Sequence, residues 1–265
     1  MEQQYTAGMV EEEQELPGGN ASGSVLRIGH TVRKPWLENS SAVQNYLGAL
    51  RSSGVDVPRP LGRDECGRHV VEYIEGVLAL DQLPLGRDDL RRVGRMIRQI
   101  HDASERVVIP NPGDWRMLLP AESPDLMCHN DLAPWNLITG DRWVFIDWDG
   151  AGPSTRLWDL AYAAQSFGML FEGQAVKSAA ARLCALVDGY DAGLALREAL
   201  PAAMAKRAAA MFELLRSSSE NGFQPWADMY ANGHGEHWRA AADFVARNQT
   251  AWVRALSCGR NTGPA

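Results

Sequence analysis

The sequence predicts a mixed α+β fold, with short strands in the N-terminal third of the chain and helices in most of the remainder. Short runs rich in β-branched residues, such as 25–28, 31–34 and 69–74, lie before residue 77. Beyond residue 156, apolar side chains recur at the 3.6-residue spacing of amphipathic helices. Between them, residues 127–150 combine a polar loop, a turn and a second apolar run, and we call this segment the central ribbon.

Composition limits the classes of protein that this chain could be. Its 265 residues suit one large domain or two lobes, and 45% hydrophobic with 22% charged residues is ordinary for a globular protein. The first residues lack the pattern of a signal peptide, and no apolar run reaches the length of a membrane span, so we expect a cytoplasmic location and no membrane partner. The formal net charge of −7 disfavours a nucleic-acid partner. Four cysteines without paired short spacing indicate neither a zinc site nor a disulfide framework.

The N-terminal elements follow from local patterns. Residues 1–14 are acidic and aperiodic, which predicts a flexible tail. The small-residue stretch 16–24 precedes two strands, 25–28 and 31–34, that are joined by a Gly-His turn. Residues 40–51 place four apolar side chains on one stripe, as expected for a helix.

Outside the central ribbon, the remaining predicted elements are one strand followed by several long helices. Residues 69–74 form an alternating strand that leads into Gly76, and 88–102 carries an apolar helical stripe. A further helix opens at Leu157. The C-terminal helices are predicted by their periodicity and their Ala and Leu content, over 176–189, 194–215 and 236–256.

The central ribbon holds the candidate chemistry. Its loop contains His129, Asp131 and Asn136, and its second apolar run, 143–146, is a strand that ends just before Asp147. The turn signal between them predicts a hairpin, which would bring these side chains to one end of a β-ribbon. Two carboxylates and an amide oxygen suit a hard divalent cation such as Mg²⁺.

The spacing of these residues resembles a known superfamily. His129-x-Asp131 with Asn136 five residues later, followed by Asp147, looks like the catalytic loop and metal-binding aspartate of protein-kinase-like enzymes. The amino-acid sequence of the ribbon, together with Trp158-Asp-Leu-Ala, resembles that of the aminoglycoside phosphotransferase family, which includes antibiotic, choline and other small-molecule kinases. The resemblance implies a bilobal protein-kinase-like fold, with an N-lobe over 15–77 and a mainly helical C-lobe over 78–265.

The same resemblance implies a role for each matched residue. Asp131 would be the catalytic residue, and Asn136 and Asp147 would bind Mg²⁺. His129, Asp149 and Asp159 would have supporting roles. Asp149 could add an outer-sphere or second-metal contact, and Asp159 would brace the catalytic loop.

In such an enzyme the N-lobe binds ATP or GTP. The resemblance implies a loop over the phosphates, a strand cation, for which we prefer Arg33 and keep Lys34 as second choice, and backbone groups that bind the purine. The loop residues are Gly19, Asn20 and Ser22, and the purine-binding residues are Glu72, Tyr73 and Ile74. The sequence departs from the family at one point, because no acid stands near Val43 or Gln44, where the helix usually supplies a partner for the strand cation. Glu38 lies just upstream and is a candidate substitute.

The predicted function is an ATP- or GTP-dependent O-phosphotransferase that acts on a hydroxyl of a small molecule, with an antibiotic as one acceptor class. An acceptor that carries an amine would require acidic side chains in its binding site. The C-lobe candidates are Asp188, Asp191, Glu213 and Asp228. Two alternatives remain open: a kinase of a host metabolite such as an amino alcohol or sugar, and a catalytically silent nucleotide-binding regulatory protein. A protein substrate is disfavoured, because few residues separate Asp147 from the next helix.

Overall fold

Short β-branched segments of the N-terminal third pair into one antiparallel sheet. The computed structural model describes residues 13–16, 23–108, 115 and 117–257. The strands of this sheet are Glu13–Glu15 (β1), Leu26–Ile28 (β2), Thr31–Lys34 (β3), Pro60–Arg63 (β4) and His69–Glu72 (β5). They are hydrogen-bonded in the order β1-β2-β3-β5-β4. Glu13 and Gln14 were expected in a flexible tail, but they pair with β2; residues 1–12 of that tail lie outside the described residues.

One helix, Ser40–Ser52 (α1), covers this sheet. Its apolar stripe, Val43, Tyr46, Leu47 and Leu50, is buried as the periodicity predicts. The helix therefore links the small sheet to the main hydrophobic core, which also contains side chains of the helical part.

The central ribbon lies between the sheet and the helices. Its strands pair with two short partners, so that β6-β8-β9 and β7-β10 form separate small sheets. Their ranges are Val77–Leu78 (β6), Leu126–Cys128 (β7), Leu137–Thr139 (β8), Val144–Phe145 (β9) and Gly152–Ser154 (β10). The lobe boundary expected near residue 77 coincides with β6, and the division into two lobes stays a proposal.

Helices dominate the rest of the chain. They are Arg87–Ser104 (α2), Arg156–Phe167 (α3), Val176–Tyr190 (α4), Leu194–Asn221 (α5), Trp226–Met229 (α6), Gly235–Arg247 (α7) and Gln249–Ser257 (α8). The predicted single helix over 236–256 is thus two helices, which are separated at Asn248. No helix in the part of the chain that the structure describes combines the length and apolarity that crossing a bilayer requires.

Helices α2 and α4 pack closely at Gly94 of α2. A larger side chain at this position is therefore expected to lower the stability of the protein strongly. A Cβ at Gly94 would lie 2.1 Å from the carbonyl oxygen of Leu186 and 2.5 Å from the backbone nitrogen of Tyr190. Backbone atoms cannot move aside as a side chain can, so we expect Gly94→Ala to lower the free energy of unfolding by about 3 kcal/mol, the upper end for overpacking.

Gly48 of α1 provides the matched control for this change. A Cβ there would meet no atom within 4 Å, so Gly48→Ala should raise the free energy of unfolding by about 0.5–1 kcal/mol through helix propensity. Urea unfolding followed by circular dichroism measures both variants. Equal stability of Gly94→Ala and the wild-type protein would contradict the close helix contact.

Candidate active site

The central ribbon folds so that its polar loop, which contains Asn136, lies next to the end of its second strand, which precedes Asp147. A buried strand, β7, leads into the loop, and a 3-10 turn over Pro134–Asn136 carries the chain into β8. The hairpin β8-β9 then returns the chain, and the N–H of Ile146 donates to the carbonyl oxygen of Asn136 at 2.9 Å. Asp147 therefore follows directly on a residue that is bonded to Asn136, as the turn signal predicts.

Asp131 and Asn136 contact each other within this loop. The amide nitrogen of Asn136 donates to the carboxylate of Asp131 at 2.7 Å and to its backbone oxygen at 3.0 Å. This leaves the amide oxygen of Asn136 free of the Asp131 contact. Burial raises the pKa of Asp131 above its ordinary value, and the carboxylate of Asp147 adds to that rise, whereas His129 lowers it.

His129 holds the ribbon together through backbone groups. Its Nε2 lies 3.0 Å from the carbonyl oxygen of Ile146, and its Nδ1 lies 3.3 Å from the backbone nitrogen of Asp131. An imidazole that donates through Nε2 and accepts through Nδ1 satisfies both contacts. Because the ring is fully buried and also packs on Trp148, it can fix the loop but has no route to solvent.

Asp159, on α3, supports the same loop through hydrogen-bonding contacts. One carboxylate oxygen accepts from the N–H of Asn130 at 2.8 Å, and the other lies 3.0 Å from Nε2 of His101. Nδ1 of His101 lies 2.9 Å from the hydroxyl of Tyr190, which completes a buried chain of polar contacts. His101, Asp159 and Cys128 have potential ligand atoms within 4.8 Å of one another, but the first two already use theirs in these bonds. We read this cluster as a structural brace for the loop.

The strand cation at the site is Lys34 and not Arg33, which corrects the expectation from sequence. The ammonium of Lys34 lies 3.0 Å from Asp147 and 2.7 Å from Asp149. Arg33 instead contacts Asp64 at 3.3 Å, because successive residues of β3 point to opposite faces of the sheet. Burial alone would lower the pKa of Lys34, but the two carboxylates outweigh it and raise that pKa.

Asp149 pairs with Lys34, whereas Gln44 stands where the resemblance places a helix acid. Gln44, on α1, uses its amide for backbone groups of Gly62 and Val70, and so it does not serve the lysine. Lys34 contacts Asp149, whose backbone oxygen accepts from the side chain of Asn39 at 2.9 Å. The two carboxylates that these ion pairs give to Lys34 thus come from the ribbon, and the role expected for Glu38 stays a prediction.

The predicted purine-binding segment is only partly available. The N–H of Glu72 donates to the carbonyl oxygen of Arg59 and the N–H of Tyr73 to that of His30, each at 2.9 Å. These two donors are therefore not free for a purine, which corrects that part of the expectation. Ile74 is buried beside Ile138 and stays a candidate. The phosphate-loop candidates Gly19, Asn20 and Ser22 lie outside the described residues.

The four acidic candidates for amine binding are either paired with other side chains or exposed at the surface. The carboxylate of Asp188 contacts Arg197 at 2.7 Å, and that of Glu213 contacts Arg216 at 2.5 Å. Asp228 is exposed and accepts from Gln224 at 2.9 Å. Asp191 is exposed at the end of α4. The structure does not gather these four carboxylates around Asp131.

Three residues near Asp131 were not assigned a role from the sequence. Asn130 has a left-handed backbone, with φ of 64°, and its side chain donates to the carbonyl oxygens of Gly150 and Gly152 at 3.2 Å. The ring of Tyr162, on α3, packs edge-to-face against Trp135 of the same loop, with ring centroids 6.3 Å apart. Arg207 of α5 lies over the ring of Tyr162, at 4.3 Å from its centroid. Asn130 directly precedes Asp131, but Tyr162 and Arg207 come from separate helices, so only the tertiary structure brings these two to the loop.

Known proteins resemble this chain both in sequence and in structure. A model of the "Phosphotransferase enzyme family" matches residues 113–196, which include the central ribbon. The trifolitoxin immunity protein of Rhizobium leguminosarum bv. trifolii is 30% identical over 193 residues, which are 66% of this chain and 72% of that protein.

Solved structures share the fold at lower identity. A choline/ethanolamine kinase family protein from Mesorhizobium loti superposes with a TM-score of 0.62 at 19% identity, covering 94% of each chain. Amicoumacin kinase, in complex with AMP-PNP, Ca²⁺ and Ami, superposes with a TM-score of 0.63 at 13% identity, covering 91% of this chain and 88% of the other. These likenesses show the kinase-like fold. Together with the match in sequence, they lead to the conclusion that the chain belongs to the phosphotransferase enzyme family.

Proposed function

We propose that this enzyme transfers the γ-phosphate of ATP or GTP to a hydroxyl group of a small molecule, with Mg²⁺ as the metal ion. The observation that carries the proposal is the set of contacts that joins Asp131 to Asn136 and Lys34 to Asp147 at one end of the β8-β9 hairpin. Asn136 contacts Asp131 at 2.7 Å, and Lys34 contacts Asp147 at 3.0 Å. Four such groups from two distant parts of the chain provide a proton acceptor, hard oxygen donors and a cation.

Asp131 is the group that receives the acceptor hydroxyl in this proposal. Phosphoryl transfer passes through a loose, highly charged transition state, so catalysis depends on alignment and on charge compensation. A carboxylate that is fixed by Asn136 can accept the hydroxyl proton and hold that oxygen toward the γ-phosphorus.

The oxygen donors of the ribbon fit a magnesium ion. Asn136 directs its amide nitrogen to Asp131, which leaves its oxygen as a ligand, and the side chain of Asp147 is 45% exposed. Burial alone would raise the pKa of Asp147, but the ammonium of Lys34 outweighs burial and holds that pKa below its ordinary value. The carboxylate is therefore charged at neutral pH. A bound Mg²⁺ would compensate the charge of the phosphate oxygens.

Lys34 is the phosphate-binding cation in this proposal, and Asp149 is its anchor. Its two carboxylate contacts, at 2.7 and 3.0 Å, come from residues on either side of Trp148. If Asp147 bound a metal ion, Asp149 would still hold the ammonium of Lys34 through its 2.7 Å contact. The side chain of Lys34 is 7% exposed, so it has little freedom to leave this position.

We expect Lys34→Met to weaken nucleotide binding strongly and Arg33→Met to leave it unchanged. A charge-assisted hydrogen bond is worth about 1.5–3 kcal/mol, which corresponds to a loss of roughly 10- to 150-fold in affinity. Titration with a fluorescent ATP or GTP analogue in the presence of Mg²⁺ measures both dissociation constants. A larger loss for Arg33→Met than for Lys34→Met would contradict the assignment.

We propose an antibiotic or toxin as the acceptor. Support comes from the curated relative, which is named for immunity to trifolitoxin, and from the likeness to a kinase of amicoumacin. The second candidate is a kinase of a host metabolite, which the likeness to a choline/ethanolamine kinase family protein favours. A cytoplasmic location, with access to nucleoside triphosphates, belongs to both proposals.

One screen tests the function and separates the candidates. The purified protein, Mg²⁺ and ATP or GTP are incubated with aminoglycosides, peptide and nucleoside antibiotics, choline, amino alcohols and sugars, and mass spectrometry detects the gain of one phosphate. Asp131→Asn is the matched control. Nucleotide binding without phosphate transfer, and without nucleotide hydrolysis, would instead support the catalytically silent alternative.

A further inference from the structure

A cavity lies outside the candidate active site, where α2 and α4 end and α3 and α5 begin. Its volume is about 430 Å³, which is within the range of small-molecule binding sites. Its charged and hydrogen-bonding side chains are Arg98, Asp102, Glu105, Arg106, Arg156 and Tyr190. None of these residues takes part in the proposed phosphate transfer, so the cavity needs an explanation of its own.

The positive charges around this cavity outnumber the negative ones. Arg98 contacts both carboxylate oxygens of Asp102 at 2.8 Å. Arg156 contacts Asp102 at 2.6 Å and Glu105 at 2.7 Å. Two arginines thus balance the two acids. Arg106 is exposed, and its guanidinium forms no ion pair with another residue in the described part of the chain. One positive charge is therefore left over.

This charge pattern favours an oxyanion as the ligand. A guanidinium group stays charged at any physiological pH, and its planar fork of N–H donors matches the oxygens of a phosphate or a carboxylate. Leu196 supplies apolar surface in the same cavity, which suits the carbon skeleton of an organic anion. The donors of Arg106 remain available, because no described side chain uses them.

Hydrogen bonds connect one wall of the cavity to the catalytic loop. Nη1 of Arg156 donates to the hydroxyl of Tyr190 at 3.0 Å, and that hydroxyl lies 2.9 Å from Nδ1 of His101. Nε2 of His101 lies 3.0 Å from Asp159, whose other oxygen accepts from the N–H of Asn130 at 2.8 Å. The chain of contacts thus begins at a cavity residue and ends in the loop.

The donors and acceptors of this chain agree along its length. An arginine can only donate, so the phenol oxygen accepts from Arg156 and its O–H donates to Nδ1 of His101. Burial raises the pKa of Tyr190, so the phenol keeps that proton. Nε2–H of His101 then donates to Asp159. Both His101 and Asp159 are buried, so solvent does not compete for these bonds.

We propose that this cavity is a second binding site, for a small molecule that carries a phosphate or carboxylate group, and that its occupation alters the hydrogen bonds that reach the catalytic loop. The anion pairs with Arg106 and competes for Arg156, and the contact of Arg156 with Tyr190 is the first of the chain. The site itself uses no residue of the proposed phosphate transfer; only its regulatory consequence rests on the proposed function.

Isothermal titration with inorganic phosphate, and separately with succinate, tests the site at constant ionic strength. We expect Arg106→Gln to weaken anion binding at least about 10-fold, because it removes a charged donor. Arg95→Gln is the matched control, since Arg95 is an exposed arginine of α2 that does not line the cavity. Its affinity should stay within about twofold, because salt screens a distant surface charge.

Three results would overturn the site. The first is a wild-type protein that binds neither anion. The second is an equal loss of affinity in Arg106→Gln and Arg95→Gln, which would indicate general attraction to surface charge. The third is a loss in Lys34→Met in place of Arg106→Gln, which would put the anion in the proposed nucleotide site. Binding of phosphate alone or of succinate alone identifies the group that the cavity takes.

Nuclear magnetic resonance tests the connection to the loop without any measurement of activity. Addition of the anion to the wild-type protein should shift the backbone amide signal of Asn130. Tyr190→Phe removes the hydroxyl that joins Arg156 to His101, so this variant should bind the anion yet lose the shift. A shift that persists in Tyr190→Phe, or one confined to cavity residues in the wild-type protein, would contradict the connection.

These outcomes are independent of the proposed function. A protein that binds the anion through Arg106 but transfers no phosphate contradicts the function and supports the site. An active protein that binds neither anion contradicts only the site.

Discussion

Asp131→Ala is expected to lower the rate of phosphate transfer by about 10²–10⁴-fold, the range for removing a general base. The variant loses the group that orients the acceptor hydroxyl. It keeps the ion pairs of Lys34 with Asp147 and Asp149, which do not involve Asp131. Nucleotide affinity should therefore stay within about threefold, since the loss falls on the transition state and not on binding of the donor.

Rapid-quench measurement of a single turnover, with the enzyme in excess over labelled nucleotide, gives the rate of transfer directly. Asp131→Asn is the control for shape, because asparagine has nearly the volume of aspartate without its charge. It should be impaired to a similar degree. Normal turnover in either variant would remove Asp131 from the mechanism and with it the proposed function.

The central ribbon could be predicted from sequence because its interactions are local. Asp131, Asn136 and Asp147 lie within seventeen consecutive residues, and one hairpin is enough to bring them together. The turn signal at 139–142 fixes that hairpin, so periodicity and turn chemistry decide the geometry. Helix α4 was equally accessible, since its buried residues Ala179, Leu183, Leu186 and Tyr190 recur at helical spacing.

The choice between Arg33 and Lys34 could not be made from the sequence. Alternation in a strand shows that the two side chains point to opposite faces, but it does not show which face covers the ribbon. That depends on the pairing of β3 with β5, in which Lys34 stands opposite His69. His69 is fully buried, and burial, together with Lys34, lowers its pKa to about 4. A neutral imidazole behind the lysine leaves the carboxylates as its counterions.

The proximity of Tyr162 and Arg207 to the loop could not be predicted from the sequence either, because it depends on the tertiary structure. They are 31 and 76 residues from Asp131 along the chain, and no motif links them. The separation at Asn248 between α7 and α8 also escapes the pattern, because the apolar spacing continues across it. Contacts of this kind come from how the helices pack.

The arrangement around Lys34 shows how a missing residue can be replaced. A helix acid would fix the lysine from α1, whereas here Asp149 fixes it from the ribbon that also carries Asp147. Asp147, the proposed metal ligand, and Asp149 are then only two residues apart: Asp147 precedes the 3-10 turn Trp148–Gly150, and Asp149 lies within it.

Asp147→Asn is expected to abolish the Mg²⁺-dependent part of nucleotide binding and to lower kcat by at least about 100-fold, since charge stabilisation by a metal ion is worth several kcal/mol. The substitution is well matched. Asp147 has a left-handed backbone with φ of 58°, and asparagine adopts that region as readily as aspartate. Lys34 keeps its contact with Asp149 at 2.7 Å, so a loss can be assigned to the metal site and not to displacement of the lysine.

Isothermal titration with ATP or GTP, with and without Mg²⁺, measures the expected loss. The wild-type protein should bind nucleotide more tightly with Mg²⁺, and Asp147→Asn should bind it equally in both conditions. Asp141→Asn removes a carboxylate from the exposed hairpin turn of the same ribbon and should behave as the wild-type protein does. If Asp147→Asn retains the full dependence on Mg²⁺, the metal ion is held by other groups and the ribbon is not its site.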